Sequence, residues 1–159
     1  AGKEASGTGC MKLMINGAVT FGTYDGANVE IKHCCGAEHF IQFGMETPEV
    51  NALKAAGYSP KKYIAESPIL QKVMALLRSG INGNYFNEIE DNLTNSDPYM
   101  VMADFDSYHE TQRMLRDLYK DKVKFGQMSL MNIANAGKFS ADRSIDDYAK
   151  NIWNLERIK

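Results

Sequence analysis

The chain has 159 residues, of which 44% are apolar, so it is long enough for one domain with a single hydrophobic core. Its 18 basic and 20 acidic residues give a net charge of −2, which disfavours binding to nucleic acid, because no excess of basic residues is available to neutralise phosphates. The sequence has no run of 18 uncharged apolar residues and begins with neither a signal peptide nor a transit helix. We therefore expect a soluble protein without a membrane anchor.

Cysteine and histidine usage indicates the redox environment and the metal content. The three cysteines are Cys10, Cys34 and Cys35. An odd number that includes an adjacent pair does not favour disulfides, so a reducing, cytoplasmic location is expected. The three histidines and three cysteines lack the spacing of a zinc site, and no metal is expected.

The N-terminal part of the chain differs in composition from the rest. Residues 1–44 contain eight of the 13 glycines, whereas the later residues follow helical periodicity. Residue 1 is not Met, and the densest motif begins at Glu4 with no element before it. These observations predict a fragment of a longer protein, with an α/β segment over 1–44 and a mainly helical segment over 45–159.

The α/β segment is predicted to contain an apolar helix, two strands and a further helix between the strands. A small-residue turn at 6–9 precedes an apolar helix at 11–15. Residues 18–23 and 40–43 are short and apolar, which is typical of buried parallel strands. Asp25-Gly26 is compatible with a hairpin turn, but the 16 residues between the strands favour a helical crossover.

The helical segment carries recognisable start and stop signals. Ser59 and Ser67 each precede a proline, which predicts two helices that begin at the prolines. Apolar residues after Ser67 follow the helical period as far as Gly80, where a left-handed stop is expected.

The remaining residues are predicted to be helical after one ambiguous segment. Residues 99–102 are interpreted as either a third strand or a buried connection, and Ser107 with Glu110 as a capping box. Helices are expected near 107–120, 122–136 and 142–155, with Asp142 as a cap of the last. Two or three strands are too few for a complete doubly wound sheet, so part of an α/β domain is expected.

The segment Glu4-Ala-Ser-Gly-Thr-Gly9 leads into the first helix and has the composition of an anion-binding loop. Glycines let backbone N–H groups approach a phosphate, and a helix N-terminus adds positive potential. An ordinary glycine-rich turn is the alternative. Lys12 stands where the dinucleotide fingerprint needs a glycine, and no P-loop lysine follows, so NAD and ATP are disfavoured.

Lys12 lies one turn into an otherwise apolar helix, next to this loop. A charged amine in apolar surroundings is costly unless it is paired or converted to a neutral amine or imine. A lysine that extends to solvent is the alternative. An aldehyde cofactor with its own phosphate would explain both features, since the loop would hold the phosphate and Lys12 would form a Schiff base. Pyridoxal 5′-phosphate is such a cofactor.

The sequence resembles the α-glucan phosphorylases, the family that acts on glycogen, starch and maltodextrin. The resemblance covers the whole chain and is carried by residues 4–18, 22–31, 103–108, 132–134 and 137–145. The family usually has Asn where Cys10 stands. We expect Cys10 to pack as a small apolar residue, with a reactive thiol as the alternative.

The resemblance implies an architecture and a reaction. It implies that the whole protein has two Rossmann-type (GT-B) domains that face a cleft. This chain would be the C-terminal part of the second domain, which binds pyridoxal phosphate. The implied reaction is phosphorolysis, in which inorganic phosphate attacks the terminal α-1,4 glucosyl unit of a glucan and gives glucose 1-phosphate with retention. The implied partners are the remainder of the phosphorylase chain and a second copy in a homodimer.

The resemblance also assigns roles to residues of the loop and helix. It implies that Lys12 holds pyridoxal phosphate, while Thr8 and the Gly9 N–H bind its 5′-phosphate. It further implies that this 5′-phosphate exchanges a proton with the substrate phosphate.

For the sugar, the resemblance implies that Glu4 accepts hydrogen bonds from hydroxyl groups, and that the Ser6 and Gly7 N–H groups donate to them. A carboxylate at this position would stabilise an oxocarbenium-like centre electrostatically.

Other residues in the resembling segments are assigned structural roles. Asp25, Asn28 and Glu30 lie at a turn-to-helix junction, where Asx side chains usually cap backbone N–H groups. Two alternatives to an enzyme remain open: an isolated fragment without catalytic activity, and a helical interaction module that binds an unrelated phosphate.

Overall fold

A computed structural model describes residues 1–3 and 6–155. These residues are mostly helical, with a small parallel sheet of two strands. None of the helices in these two ranges is both long and apolar enough to cross a membrane. The elements are α1 Thr8–Ile15, β1 Phe21–Gly22, α2 Ala27–Cys35, β2 Ile41–Gln42, α3 Thr47–Ala55, α4 Pro60–Glu66, α5 Pro68–Ser79, α6 Asn87–Asn95, α7 Val101–Leu118, α8 Lys122–Asn135 and α9 Ala141–Asn151.

The chain forms two compact units. The first contains Ala1–Lys3, Thr23–Asp25 and Phe43–Arg113. The second contains Gly26–Gln42 and the described residues of 4–22 and 114–159.

The second unit is built around a βαβ crossover. Strands β1 and β2 are parallel, with Phe21 opposite Ile41, and α2 connects them. This arrangement confirms the predicted crossover and excludes the hairpin. Both strands are shorter than predicted, and only Ile41 of the four strand residues is buried.

The core of this unit lies beneath α1 and α2. It is a cluster of buried side chains: Met14, Ile31, Cys35, Phe40 and Ala136. Met14 and Ile31 are completely buried, so each contributes about 1.5–3 kcal/mol by removing an apolar side chain from water. The cluster fixes the inner face of α1, which has Met14 as its only buried residue in the described chain.

The first unit confirms the local helix signals. Helices α4 and α5 begin at Pro60 and Pro68, as predicted. The Ser67 hydroxyl accepts a hydrogen bond from the Leu70 N–H, and α5 ends at Gly80 with φ 87°. The Ser59 side chain, in contrast, makes no capping hydrogen bond among the described residues.

The predicted start of α7 is wrong, and so is a third strand over residues 99–102. Helix α7 begins at Val101, because the Asp97 carboxylate accepts hydrogen bonds from the N–H groups of Val101 and Met102, both at 2.9 Å. Ser107 therefore lies inside the helix and accepts a hydrogen bond from the Gly44 N–H. The capping box of Ser107 and Glu110 does not form.

The last two helices follow the prediction closely. Helices α8 and α9 match the segments expected near 122–136 and 142–155, although α9 ends at Asn151. The cap of α9 is Ser140, whose hydroxyl accepts from the Arg143 N–H, so the predicted cap at Asp142 is wrong. Asp142 instead lies in the first turn, where its charge is favourable beside the helix dipole.

Candidate functional site

The N-terminal end of α1 is open for an anion. Gly7 precedes the helix in the left-handed conformation, with φ 61° and ψ 17°, and its carbonyl accepts the first helical hydrogen bond from Met11. No side chain of the described residues caps this end. The first N–H groups of a helix lack intrahelical partners, so those of Thr8 and Gly9 are placed to donate to a ligand.

A second helix begins at the same place. A Cβ atom built on Gly7 would lie 2.2 Å from the Ala27 Cβ and 3.5 Å from the Ala27 backbone nitrogen. Ala27 is the first residue of α2, whose N-cap, Gly26, provides no side-chain hydrogen bond. Each helix N-terminus carries about half a positive charge. Two such ends in contact make the site more favourable for an anion than α1 alone.

The side chains around this end are small and polar. The Thr8 hydroxyl donates to the Ser6 hydroxyl at 3.4 Å, and both residues are exposed. Apart from its two chain neighbours and the backbone of its own helix, no atom of the described residues lies within 4 Å of the position that a Gly9 Cβ would take. Hydroxyl and backbone N–H donors in an open position suit a phosphate monoester, so these residues fit the phosphate of pyridoxal phosphate.

Lys12 is on the same side of α1 as this cluster. It lies four residues after Thr8 and three after Gly9, which places all three on one helix face. Lys12 is exposed and makes no ion pair with a described carboxylate. The structure therefore brings the predicted amine and the predicted phosphate donors together.

The surroundings of Lys12 differ from those expected. Leu13 and Ile15 are 61% and 59% exposed, so the apolar residues beside Lys12 do not bury it in the described chain. The prediction for Lys12 therefore depends on its position beside the loop, and no longer on burial.

The sugar-binding residues predicted before α1 are only partly described. Glu4 lies outside the described residues. Gly7 is buried, where it packs against Ala27, while Ser6 is exposed.

Asp25 and Asn28 make structural contacts. Asp25 accepts hydrogen bonds from the Thr23 hydroxyl and the Lys3 N–H, both at 3.1 Å, which stabilises the turn before α2. Asn28 is 8% exposed, and its Nδ2 lies 2.8 Å from the position that a Gly22 Cβ would take. Glu30 is in the first turn of α2, where an acidic residue is favourable.

Cys10 faces the core and not the anion site. It is half-buried and packs against the cluster that contains Met14 and Cys35. This is the position that the packing interpretation predicts. Cys35 is buried, and the loss of solvation raises the pKa of its thiol.

A cavity in the second unit was not indicated by the sequence pattern. It has a volume of about 320 Å³ and lies beside β2, where Phe40, Met114 and Met128 contribute to its wall. Residues from three separate segments form it, so no local motif could reveal it. Among the described residues, no three His, Cys, Asp or Glu side chains are close enough to hold a metal ion.

Comparison with known proteins gives one consistent family. The model of the carbohydrate phosphorylase family matches residues 1–155. The chain is 44% identical to glycogen phosphorylase of Synechocystis over 162 residues, which is 99% of this chain and 19% of that protein. It is 42% identical to the human muscle form of glycogen phosphorylase over 160 residues, covering 98% of this chain and 19% of that protein. The chain thus spans about one fifth of the length of these relatives.

Proposed function

Because the chain belongs to the carbohydrate phosphorylase family, we propose that it is part of an α-1,4-glucan phosphorylase. The whole enzyme would use inorganic phosphate to release glucose 1-phosphate from the end of glycogen or a related glucan. The observation that carries the proposal, beyond family membership, is the open N-terminal end of α1, where α2 begins and where Lys12 shares a face with Thr8 and Gly9.

The residues at this end would hold pyridoxal phosphate. The Thr8 hydroxyl and the Gly9 N–H would donate hydrogen bonds to its 5′-phosphate, and Lys12 would hold the ring through its aldehyde. When bound, the cofactor supplies a phosphate monoester that titrates near pH 6 and exchanges protons with inorganic phosphate. The two helix N-termini would stabilise the more highly charged form of that phosphate.

The sugar would be bound by the residues just before α1. The Ser6 and Gly7 N–H groups would donate to sugar hydroxyls, and the Glu4 carboxylate would accept from them. Preorganised donors and a negative charge of this kind stabilise an oxocarbenium-like transition state. The left-handed conformation of Gly7 fixes the direction of the backbone at this point.

The rest of the enzyme would come from the remainder of the chain. We infer that the βαβ unit belongs to a Rossmann-like domain of GT-B type, because two parallel strands form only part of such a sheet. The facing domain and the groups that bind substrate phosphate would lie outside these residues, so the 159 residues alone would be a fragment without catalytic activity. The three free cysteines support a cytoplasmic enzyme, and a homodimer is proposed for the full-length chain.

Labelling of the cofactor lysine tests the proposal. Full-length holoenzyme is treated with borohydride, which makes the link between cofactor and lysine permanent, and its peptides are mapped by mass spectrometry. The label is expected on Lys12. Lys12→Ala should abolish labelling and glucose 1-phosphate release from glycogen, whereas Lys61→Ala, an exposed lysine of α4, should change neither. A label on another lysine, or a fully active Lys12→Ala variant, would contradict the assignment.

A further inference from the structure

We propose that Ala27 is a positioning residue whose methyl group sets where the Gly7 backbone, and with it the N-terminal end of α1, can lie. The inference rests on the cofactor role proposed for that end. Ala27 would touch neither cofactor nor substrate. It would act through Gly7.

The contact between Gly7 and Ala27 is unusually close. A Cβ on Gly7 would lie 2.2 Å from the Ala27 Cβ, a separation that two carbon atoms without a bond do not reach. The next atoms are the Ala27 Cα at 3.4 Å and the Ala27 nitrogen at 3.5 Å, which are ordinary contact distances. The Ala27 methyl group alone therefore blocks a larger residue at position 7.

The residue that follows Ala27 also makes a close contact. This residue, Asn28, packs closely on Gly22, since a Cβ on Gly22 would lie 2.8 Å from Asn28 Nδ2. The first turn of α2 is thus fixed to the end of β1 and in turn fixes the loop before α1. Gly26 supports this placement with φ 51° and ψ −136°, a backbone conformation that is accessible to glycine and strained for other residues.

The arrangement makes a specific prediction about paired substitutions. Gly7→Ala adds a methyl group that meets the Ala27 methyl group, and it also places alanine at φ 61°. Ala27→Gly removes the clash between the two methyl groups and leaves the backbone strain of alanine at position 7. If Ala27 positions the loop through this contact, Ala27→Gly should therefore rescue part of the defect of Gly7→Ala.

The test is a double-mutant cycle in the full-length protein. The cofactor is removed, and the dissociation constant of pyridoxal phosphate is measured by its absorbance for the parent, both single variants and the double variant. We expect Gly7→Ala to raise the constant at least tenfold, Ala27→Gly to raise it less than threefold, and the double variant to recover at least fivefold relative to Gly7→Ala. A double variant no better than Gly7→Ala would overturn the proposal, because backbone strain at Gly7 would then explain the whole defect.

A second pair of variants covers the case in which Gly7→Ala does not fold. Ala27→Val enlarges the methyl group from the other side, and Ala103→Val, at a half-buried alanine of α7, is the matched control. Ala27→Val should raise the dissociation constant of pyridoxal phosphate at least fivefold. It should also raise the KM for phosphate by a larger factor than it lowers kcat. Ala103→Val should change none of these three quantities by more than twofold. Equal effects of the two variants would overturn the proposal. Failure of the Lys12 labelling would instead refute the cofactor assignment, so the two outcomes are distinguishable.

Discussion

The Asp97 carboxylate is the polar group whose removal should most destabilise the first unit. It is 1% exposed, and it accepts hydrogen bonds from the Tyr58 hydroxyl at 2.5 Å and from the Val101 and Met102 N–H groups at 2.9 Å. The Tyr58 hydroxyl and the Met102 N–H share Oδ2, while the Val101 N–H donates to Oδ1. Asp97→Asn keeps one acceptor oxygen and replaces the other with an NH2 group.

The expected loss follows from these three bonds. If the amide oxygen takes the Oδ2 position, the Val101 N–H faces a donor, and a buried donor left unsatisfied costs about 1–3 kcal/mol. The two retained bonds lose the charge on their acceptor, and charge-assisted bonds are about twice as strong as neutral ones. We expect Asp97→Asn to lower the free energy of unfolding by about 2–4 kcal/mol. Asn tolerates the left-handed φ of 38° at this position, so no backbone strain is added.

The assay is thermal unfolding of the full-length protein, combined with hydrogen exchange of the peptide that covers the start of α7. Faster exchange at Val101 and Met102 would identify the lost cap. Tyr58→Phe removes one of the three bonds and should cost about 1–2 kcal/mol. Asp106→Asn, on the exposed face of the same helix, is the control and should stay within about 0.5 kcal/mol of the parent. The reasoning is refuted if Asp97→Asn unfolds and exchanges like Asp106→Asn.

Two further predictions concern buried titratable groups. Burial raises the pKa of Asp104, which accepts a 2.7 Å hydrogen bond from the Met45 N–H. A carboxyl group whose pKa is higher in the folded than in the unfolded state stabilises the fold below its unfolded pKa of about 4. This stabilisation is lost as pH rises through the pKa of the folded state. Asp104→Asn should therefore be more stable relative to the parent at pH 7 than at pH 3.5, as measured by the unfolding temperature, and an equal difference at both pH values would contradict this. For the adjacent thiols, burial raises the pKa of Cys35, so iodoacetamide at pH 8 should modify half-buried Cys34 at least tenfold faster, as followed by mass spectrometry. Equal rates would show that Cys35 is accessible.

The features that could be predicted from sequence are those whose cause is local. Ser67 caps α5 and Gly80 ends it, because both effects involve residues within a few positions along the chain. The helix over α1 and the crossover between the strands follow from apolar spacing and connection length in the same way.

The errors arise where a distant residue decides the structure. Ser107 reads as a helix cap, but it bonds Gly44, which is 63 residues away. The true cap, Asp97, is held by Tyr58 at a separation of 39 residues, and neither pairing leaves a local pattern.

In the candidate site, too, only the features with a local cause could be predicted from the sequence. The spacing of Thr8, Gly9 and Lys12 on one helix face could be predicted, because helical geometry fixes it. The approach of Ala27 to Gly7, and the exposure of Leu13 and Ile15 around Lys12, depend on tertiary packing. No spacing rule contains that information.

The contact between Gly7 and Ala27 also orders events during synthesis on the ribosome. The loop before α1 leaves the exit tunnel about 20 residues ahead of the helix turn on which it rests, and domains fold only as their parts emerge. Until α2 has formed and docked, the contact of Gly7 with Ala27 cannot form. In the proposed enzyme, cofactor binding at Lys12 would therefore be a late step in biogenesis. A nascent chain stalled before residue 27 would expose Lys12 without the Ala27 contact that positions the loop before it.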